Sequence, residues 1–357
     1  MNAVPAAHPA AAWGSVRPGY LDAATMGIPT LATVEAMRAA TEEWAAGEAV
    51  AAGYGVHVDR ARSAFARLVG APVEHVAIGA TVAEHVGLVA AALPDGADVV
   101  TVDGDFSSVV YPFLQHAHRG VTVRHVPLEG LAESIRPGTA LVAFSLIQSA
   151  DGRVADLEAI AAAAAGVGAR TLCDATQAVG LHPVDAARWD YTVCHSYKWL
   201  CAPRGASFLV AAPDAADRLV ALHACWYGGE EIWASTYGPS MRLADTTRRL
   251  DTSPAWLSWV GAAEAIEHFA ERGAGDTWAR SVALADALLS RAGLPPRGQA
   301  FFALDDPSGA LAGALREAGI RFAQRAGRVR LGFHVWNTDE DLELAAAAFA
   351  AAGLRAA

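Results

Sequence analysis

The sequence predicts an α/β fold: a large domain with a mostly parallel mixed sheet flanked by helices, followed by a smaller α+β C-terminal domain. Three observations predict it. From Val76 onward, short β-branched runs alternate with helical stretches, the rhythm of strand–helix–strand units. After Pro254 the texture changes to longer Ala-rich helices and then a few strand-like segments. The 357 residues, 53% hydrophobic and 18% charged, suffice for about two domains with packed cores.

Residues 1–19 read as a flexible tail: Met1 to Trp13 is rich in Ala and Pro but has no basic stretch before an apolar run, so it does not resemble a signal peptide. The segment before Val50 either crosses the large domain or joins the small one. Strands are expected at Val76 to Gly79, Asp98 to Val102, Val121 to Val126, Leu141 to Ile147, Thr171 to Asp174, Tyr191 to His195 and Ala206 to Val210. Between them lie helices such as Thr81 to Leu93 and Asp156 to Ala165, the second acidic in its first turn and closing near Gly166 and Gly168. The large domain is expected over residues 20–250 and the small one over 251–357, with the boundary between Thr236 and Pro254. The small domain should hold helices at Ala255 to Ala270 and Thr277 to Ala292, a strand at Phe301 to Leu304, a helix to Ala318, and strands around Arg321 and Arg330.

Lys and Arg number 27 against 38 Asp and Glu, a net charge of −11 that repels phosphate backbones and anionic surfaces. Neither nucleic acid nor a membrane is an expected partner; the apolar runs break well short of the ~20 residues a span needs. Cys173, Cys194, Cys201 and Cys225 form no C-x-x-C pair or zinc spacing, and His116, His118 and His125 have no ligand spacing, so neither a disulfide framework nor a metal site is expected. A reducing, cytoplasmic setting follows.

Lys198 is the only lysine; every other basic side chain is Arg. Guanidinium replaces ammonium as a surface charge but stays protonated, whereas a desolvated lysine amine can form a Schiff base. Ligands of open α/β sheets sit beyond the carboxyl ends of strands, so strand ends are where chemistry is sought. Gly79-Ala80-Thr81 turns from strand into helix, offering free N–H groups and a hydroxyl to a phosphate, or simply a helix cap. In Cys173-Asp174-Ala175-Thr176-Gln177, an Asp ends an apolar strand where an unpaired carboxylate would be costly; a protonated pyridine nitrogen would suit it, and capping the next stretch is the alternative. His195-Ser196-Tyr197-Lys198-Trp199-Leu200 ends a further strand, so Asp174 and Lys198 can point into one crevice. An Asp for a pyridinium nitrogen paired with a Schiff-base Lys is the recurrent need of pyridoxal-phosphate enzymes.

At these residues the chain resembles the class V aminotransferase family of pyridoxal-phosphate enzymes, fold type I, which includes cysteine desulfurases, kynureninases and isopenicillin N epimerase-like proteins. The similarity runs from about Tyr20 to Leu344. It implies pyridoxal 5'-phosphate as cofactor, Lys198 as the catalytic Schiff-base lysine that moves the Cα proton, Asp174 on the pyridine nitrogen and Gln177 on the ring hydroxyl. It further implies a phosphate seat at Ala80 and Thr81 with His195 and Tyr197, and Phe106 against the ring. Arg330, in Arg-Val-Arg-Leu-Gly-Phe-His-Val-Trp-Asn-Thr, takes the place of the arginine that binds the substrate carboxylate. Ser253 resembles the segment that reaches the neighbouring subunit's phosphate, which implies a homodimer with shared active sites.

Departures narrow the chemistry. The stretch Arg321 to Arg328 holds no cysteine, so persulfide-forming desulfuration is not expected. Leu146 stands where desulfurases carry an Asn against the ring, and Gln148 is expected to replace it on the substrate side. The stretch Trp226 to Trp233 fits either a loop over the substrate pocket or a surface loop stapled by Trp packing. The resemblance thus implies an enzyme acting on the Cα and Cβ bonds of an amino acid or amino-acid conjugate, by transamination or by carbon–sulfur lyase-type β-elimination. An epimerase of the isopenicillin N type, which begins with the same Cα deprotonation, and a catalytically silent cofactor-binding or regulatory protein remain alternatives.

Overall fold

The computed structural model describes residues 9–272, 275–325 and 327–355. In chain order come α1 (Leu31–Ala45), α2 (Gly55–Leu68), β1 (Val76–Gly79), α3 (Val82–Ala91), β2 (Asp98–Val102), α4 (Ser107–Leu114), β3 (Thr122–Val126), β4 (Thr139–Ser145), α5 (Leu157–Val167) and β5 (Arg170–Asp174). There follow β6 (Tyr191–His195), β7 (Ser207–Ala211), α6 (Pro213–Ala216), α7 (Trp256–Arg272), α8 (Gly275–Arg291), β8 (Phe301–Asp305), α9 (Ala310–Glu317), β9 (Ala323–Arg325), β10 (Arg328–Gly332) and α10 (Asp339–Ala351). Local signals set many of the ends. Thr81 and Asp156 cap α3 and α5 by accepting from Glu84 N and Ala159 N, Gly168 ends α5 at φ 71°, and Thr338 with Asp341 forms a capping box on α10.

Seven strands form one sheet in the order β1-β7-β6-β5-β4-β2-β3. β7 runs antiparallel to both neighbours and the other pairings are parallel. β1, β6 and β7 are buried at every residue, the continuous apolar run of a sheet covered on both faces. Consequently β1, β4, β5 and β6 end on one edge: Gly79 and His195 both lie opposite Ser207, and Ser145 lies opposite Asp174. β4 begins and ends two residues earlier than the sequence suggests. The Asp105 carboxylate takes both the Ser145 N–H (2.9 Å) and the Ser145 hydroxyl (2.5 Å), and Ile147 instead bridges Val154.

The second sheet, β8-β10-β9, is antiparallel and shares a core with the helices α8, α9 and α10 through Leu288, Phe302, Leu315, Val329 and Phe349. The segment before Val50 serves both units. Tyr20 and Asp22 bridge Arg321 and Gly332 in parallel, and Leu21 enters the small core, whereas α1 packs on α7. α7 lies against α1 and α2, and its Trp259, Ile266 and Phe269 join the core of the large sheet, so this helix packs with the large unit rather than with the C-terminal strands. Residues 1–8 of the expected tail lie outside the described residues; beyond them the tail is pinned at Trp13, whose indole is buried against Phe269 and donates to Ile28 O at 2.7 Å, while Gly14, Ser15, Arg17 and Pro18 stay exposed. Among the described residues no helix is long and apolar enough to cross a membrane.

Candidate active site

A cavity of about 500 Å³ opens at the edge where β1, β4, β5 and β6 end. Asp174, the last residue of β5, is buried beneath it, and its Oδ1 accepts from Thr176 N at 2.8 Å. Thr176 Oγ1 in turn accepts from His195 N at 3.0 Å, which ties the ends of β5 and β6 together. Burial raises the Asp174 pKa above the usual carboxylate value, opposed by the Thr176 hydrogen bonds and the charge of Lys198.

Lys198 stands on the turn after β6. That turn leaves the sheet, so its carbonyls need partners from outside it: Tyr197 O accepts from Gly27 N at 2.9 Å and Lys198 O from Cys201 N at 3.1 Å. The approach of residue 27 demands glycine, because a Cβ there would sit 2.1 Å from Lys198 O. Lys198 is buried, and burial outweighs the nearby Asp174 charge and pushes its pKa down to about 8. Its Nζ lies 5.2 Å from the centre of the Phe106 ring and 5.8 Å from that of Tyr197.

Phosphate-sized space is available beside α3, whose first turn reaches the cavity through Thr81, Val82 and Ala83. The amides of Val82 and Ala83 have no intrahelical acceptor, as at any helix start. The Ala80 N–H, by contrast, already donates to Glu84 Oε2 at 2.9 Å, which corrects the expectation that it is free. His195 faces the same space with both ring nitrogens buried and without partners, and burial with the Arg204 and Lys198 charges lowers its pKa to about 3, keeping the imidazole neutral. Tyr197 meets it edge-on with ring centres 4.4 Å apart, and the Arg204 guanidinium covers the Tyr197 ring at 5.0 Å.

Arg330 closes the opposite side from the small sheet. It is 2% exposed, donates to Ser149 O (2.5 Å), Ser149 Oγ (3.2 Å) and Thr25 Oγ1 (2.7 Å), and leaves its Nε buried and unpartnered. Burial lowers its pKa to about 10, so it remains cationic at neutral pH. Gln177 reaches the cavity, but its amide is already engaged: Nε2 donates to Ala24 O (3.0 Å) and Ser149 Oγ (3.1 Å), and Oε1 accepts from Trp199 Nε1 (2.7 Å).

One expectation is displaced. Gln148 does not line the cavity; its Nε2 donates to Asp105 Oδ2 (3.2 Å) and Ser145 O (3.2 Å), and Ser149 takes the place it was expected to fill. Ser253, expected to reach the neighbouring subunit's phosphate, is exposed and lies outside this chain's own cavity. Of the two readings of the Trp226 to Trp233 stretch, the structure shows the stapled loop: it lines no part of the cavity and is held by Trp226–Trp233 packing at 4.9 Å and by Arg248 donating to Tyr227 O and Glu230 O at 2.9 Å. Asp105, Thr25, Ser149, Arg204 and Arg325 were not singled out from sequence. Asp105 follows a strand end and was within reach of that search, whereas Thr25 and Ser149 matter only because distant segments meet.

The sequence matches the family described as Aminotransferase class-V over residues 20–294. It is 29% identical over 306 residues to the uncharacterized aminotransferase YcbU of Bacillus subtilis, covering 79% of this chain and 80% of that protein. It is 27% identical to a kynureninase of Deinococcus radiodurans (76% and 70% covered) and 26% identical to the isopenicillin N epimerase of Streptomyces clavuligerus (64% and 62% covered). Among solved structures, the fold is similar to that of the cystine C-S lyase C-DES, with a TM-score of 0.83 at 19% identity over 96% of this chain and 99% of that one. The Escherichia coli cysteine desulfurase CsdA superposes with a TM-score of 0.82 at 19% identity, covering 99% and 100%.

Proposed function

From the premise that the chain belongs to the class V aminotransferase family of pyridoxal 5'-phosphate enzymes, we propose that it acts on a free or conjugated α-amino acid, by transamination or by β-elimination. The observation that carries this reading is the buried pair Asp174 and Lys198 at the ends of adjacent strands, with Arg330 across the same cavity. The cavity suits the cofactor on its own evidence: two orphaned His195 nitrogens, a helix start open to an anion, and a buried carboxylate with spare acceptor capacity all await polar partners.

Bound there, the cofactor supplies an electron sink conjugated to the substrate Cα. Asp174 holds the proton on the pyridine nitrogen, and the first turn of α3 with His195 and Tyr197 receives the phosphate. Phe106, on the cavity wall with its ring centre 5.2 Å from Lys198 Nζ, would cover the ring. Lys198 would hold the cofactor through its amine and would be the group placed to take a proton from the substrate Cα; in the cofactor-free chain burial lowers its pKa to about 8. Arg330 orients the substrate carboxylate through its unpartnered Nε. Among the described residues no cysteine lines the cavity, which speaks against cysteine desulfuration through a persulfide carried on the protein. A homodimer with shared sites fits the large apolar side chains left exposed on α1 (Leu31, Val34, Trp44) and at Trp233, Tyr237 and Met241, and would give Ser253 a partner.

The test is reduction of the purified protein with borohydride and peptide mapping, then a screen of amino acids with and without a keto-acid acceptor. The reduced cofactor should map to Lys198. Turnover that requires the acceptor assigns transamination, and acceptor-free release of pyruvate and ammonia assigns β-elimination. Racemisation alone would favour the epimerase alternative, and a protein that stays colourless with added pyridoxal 5'-phosphate would refute the proposal.

A further inference from the structure

We propose that His334 is a positioning residue for Lys198: it fastens the lysine-bearing turn to the C-terminal domain and begins a buried hydrogen-bond relay that ends at Arg330. This rests on the role given to Lys198 above. The relay is continuous. His334 Nε2 donates to Trp199 O at 2.9 Å, and Trp199 Nε1 donates to Gln177 Oε1 at 2.7 Å. Gln177 Nε2 donates to Ser149 Oγ at 3.1 Å, and Ser149 accepts in turn from Arg330. His334, Trp199, Gln177 and Arg330 are each at most 3% exposed, so water cannot substitute for the links from His334 through Trp199 to Gln177, while Ser149 is half-buried at the cavity wall.

The position suits an imidazole. His334 Nδ1 accepts from Val335 N at 2.7 Å, which places the ring proton on Nε2 and aims it at Trp199 O. The role needs the neutral ring, and burial supplies it by lowering the pKa to about 4. Stacking fixes the plane: the ring lies 4.3 Å from Trp336 at 6° and 5.4 Å from Trp199 at 20°.

The mechanical consequence follows from the turn itself. Of its three successive carbonyls, those of Tyr197 and Lys198 are held by Gly27 and Cys201, whereas Trp199 O has only His334 and a Cys201 Sγ at 3.7 Å. Deleting the imidazole donor leaves a buried carbonyl nearly orphaned, and the turn relaxes by rotating the Trp199–Leu200 peptide, one residue beyond Lys198. The same rotation pulls the Trp199 indole from Gln177. Neither His334 nor Trp199 lines the cavity, so their influence on the site passes through Lys198, Gln177 and Arg330.

The experiment compares wild type with His334→Phe, which keeps a stacking ring, His334→Gln, which keeps a donor, and Trp199→Phe, which cuts the indole link. Each cofactor-free protein receives pyridoxal 5'-phosphate, and two quantities are read: the rate of covalent capture at Lys198, verified by borohydride and peptide mapping, and the pH titration of the bound chromophore. His334→Phe and Trp199→Phe should slow capture about 10- to 100-fold, the penalty of an ångström-scale misplacement, and move the chromophore titration by about half a pH unit or more. His334→Gln should restore both toward wild type. A folded His334→Phe protein with wild-type capture and titration overturns the proposal. Should that variant fail to fold, an unchanged Trp199→Phe protein overturns it equally. Wild type that captures no cofactor refutes the functional reading instead, so the two failures are distinguishable.

Discussion

The lowered pKa of Lys198 makes a quantitative claim about reactivity. A fall from 10.5 to about 8 corresponds to roughly 3 kcal/mol at 1.36 kcal/mol per pH unit. At pH 7 about one Lys198 in eleven is then neutral, against about one in three thousand for an unperturbed lysine, so the nucleophilic amine is enriched about 300-fold. Stopped-flow capture of pyridoxal 5'-phosphate by cofactor-free protein, followed by visible absorbance, should rise with pH through a midpoint near 8. Asp174 is the largest influence raising that pKa, so Asp174→Asn should move the midpoint lower still. A wild-type midpoint near 10.5, or a midpoint that rises in Asp174→Asn, would refute the reasoning. Linkage supplies a second check with a fixed sign. The folded pKa lies below the unfolded value, so between about pH 8 and 10.5 the unfolded chain binds more protons and stability rises with pH. Below pH 8 the full cost of about 3 kcal/mol is present. In Lys198→Met this rise should disappear, and denaturant titrations of the two proteins at successive pH values should converge or diverge accordingly.

Gly27→Ala forces a Cβ to within 2.1 Å of Lys198 O and 2.7 Å of Cys201 Sγ, so the segment must shift and give up its hydrogen bond to Tyr197 O. A loss of about 2–4 kcal/mol by chemical denaturation is expected, the sum of an overpacking cost and one hydrogen bond, together with slowed cofactor capture; wild-type capture would refute it. Arg62→Ala strands the Asp251 carboxylate, which is wholly buried, 2.6 Å from Arg62 and bonded to Ile78 N. The cost should be about 3–5 kcal/mol, and a loss below 1 kcal/mol in denaturant titration would show that the pair is dispensable. Arg330→Lys should lower kcat/KM for whichever substrate the screen identifies by about 30- to 1000-fold, since a point charge cannot replace the planar fork. Gln148→Ala should cost stability, because its amide bonds Asp105 and Ser145, yet leave KM within twofold; a large rise in KM would return Gln148 to the substrate side.

Why Asp174 and Lys198 were legible while Thr25 and Ser149 were not is a matter of range. A strand that ends on the open edge of a parallel sheet announces itself by its apolar run, and whatever polar residue follows must face the crevice, so Cys173-Asp174 and His195 to Lys198 could be assigned from local sequence. The misplacement of Gln148 by one residue has the opposite origin. In extended or turning backbone one position decides which side a side chain takes, and here the decision belongs to Asp105, forty residues before Ser145. The Thr25 wall is more remote still. It exists because Tyr20 and Asp22 run along the small sheet before the chain passes under the lysine turn, a path set by bridges to Arg321 and Gly332 some three hundred residues away. The small domain therefore acts on the site from three directions, through Arg330 on β10, through the N-terminal segment its sheet holds, and through His334 just beyond β10. A movement of that domain would shift Arg330 and the Lys198 turn together. Substitutions at the Tyr20–Arg321 bridge, far from any reacting atom, should accordingly alter cofactor capture in the same direction as His334→Phe.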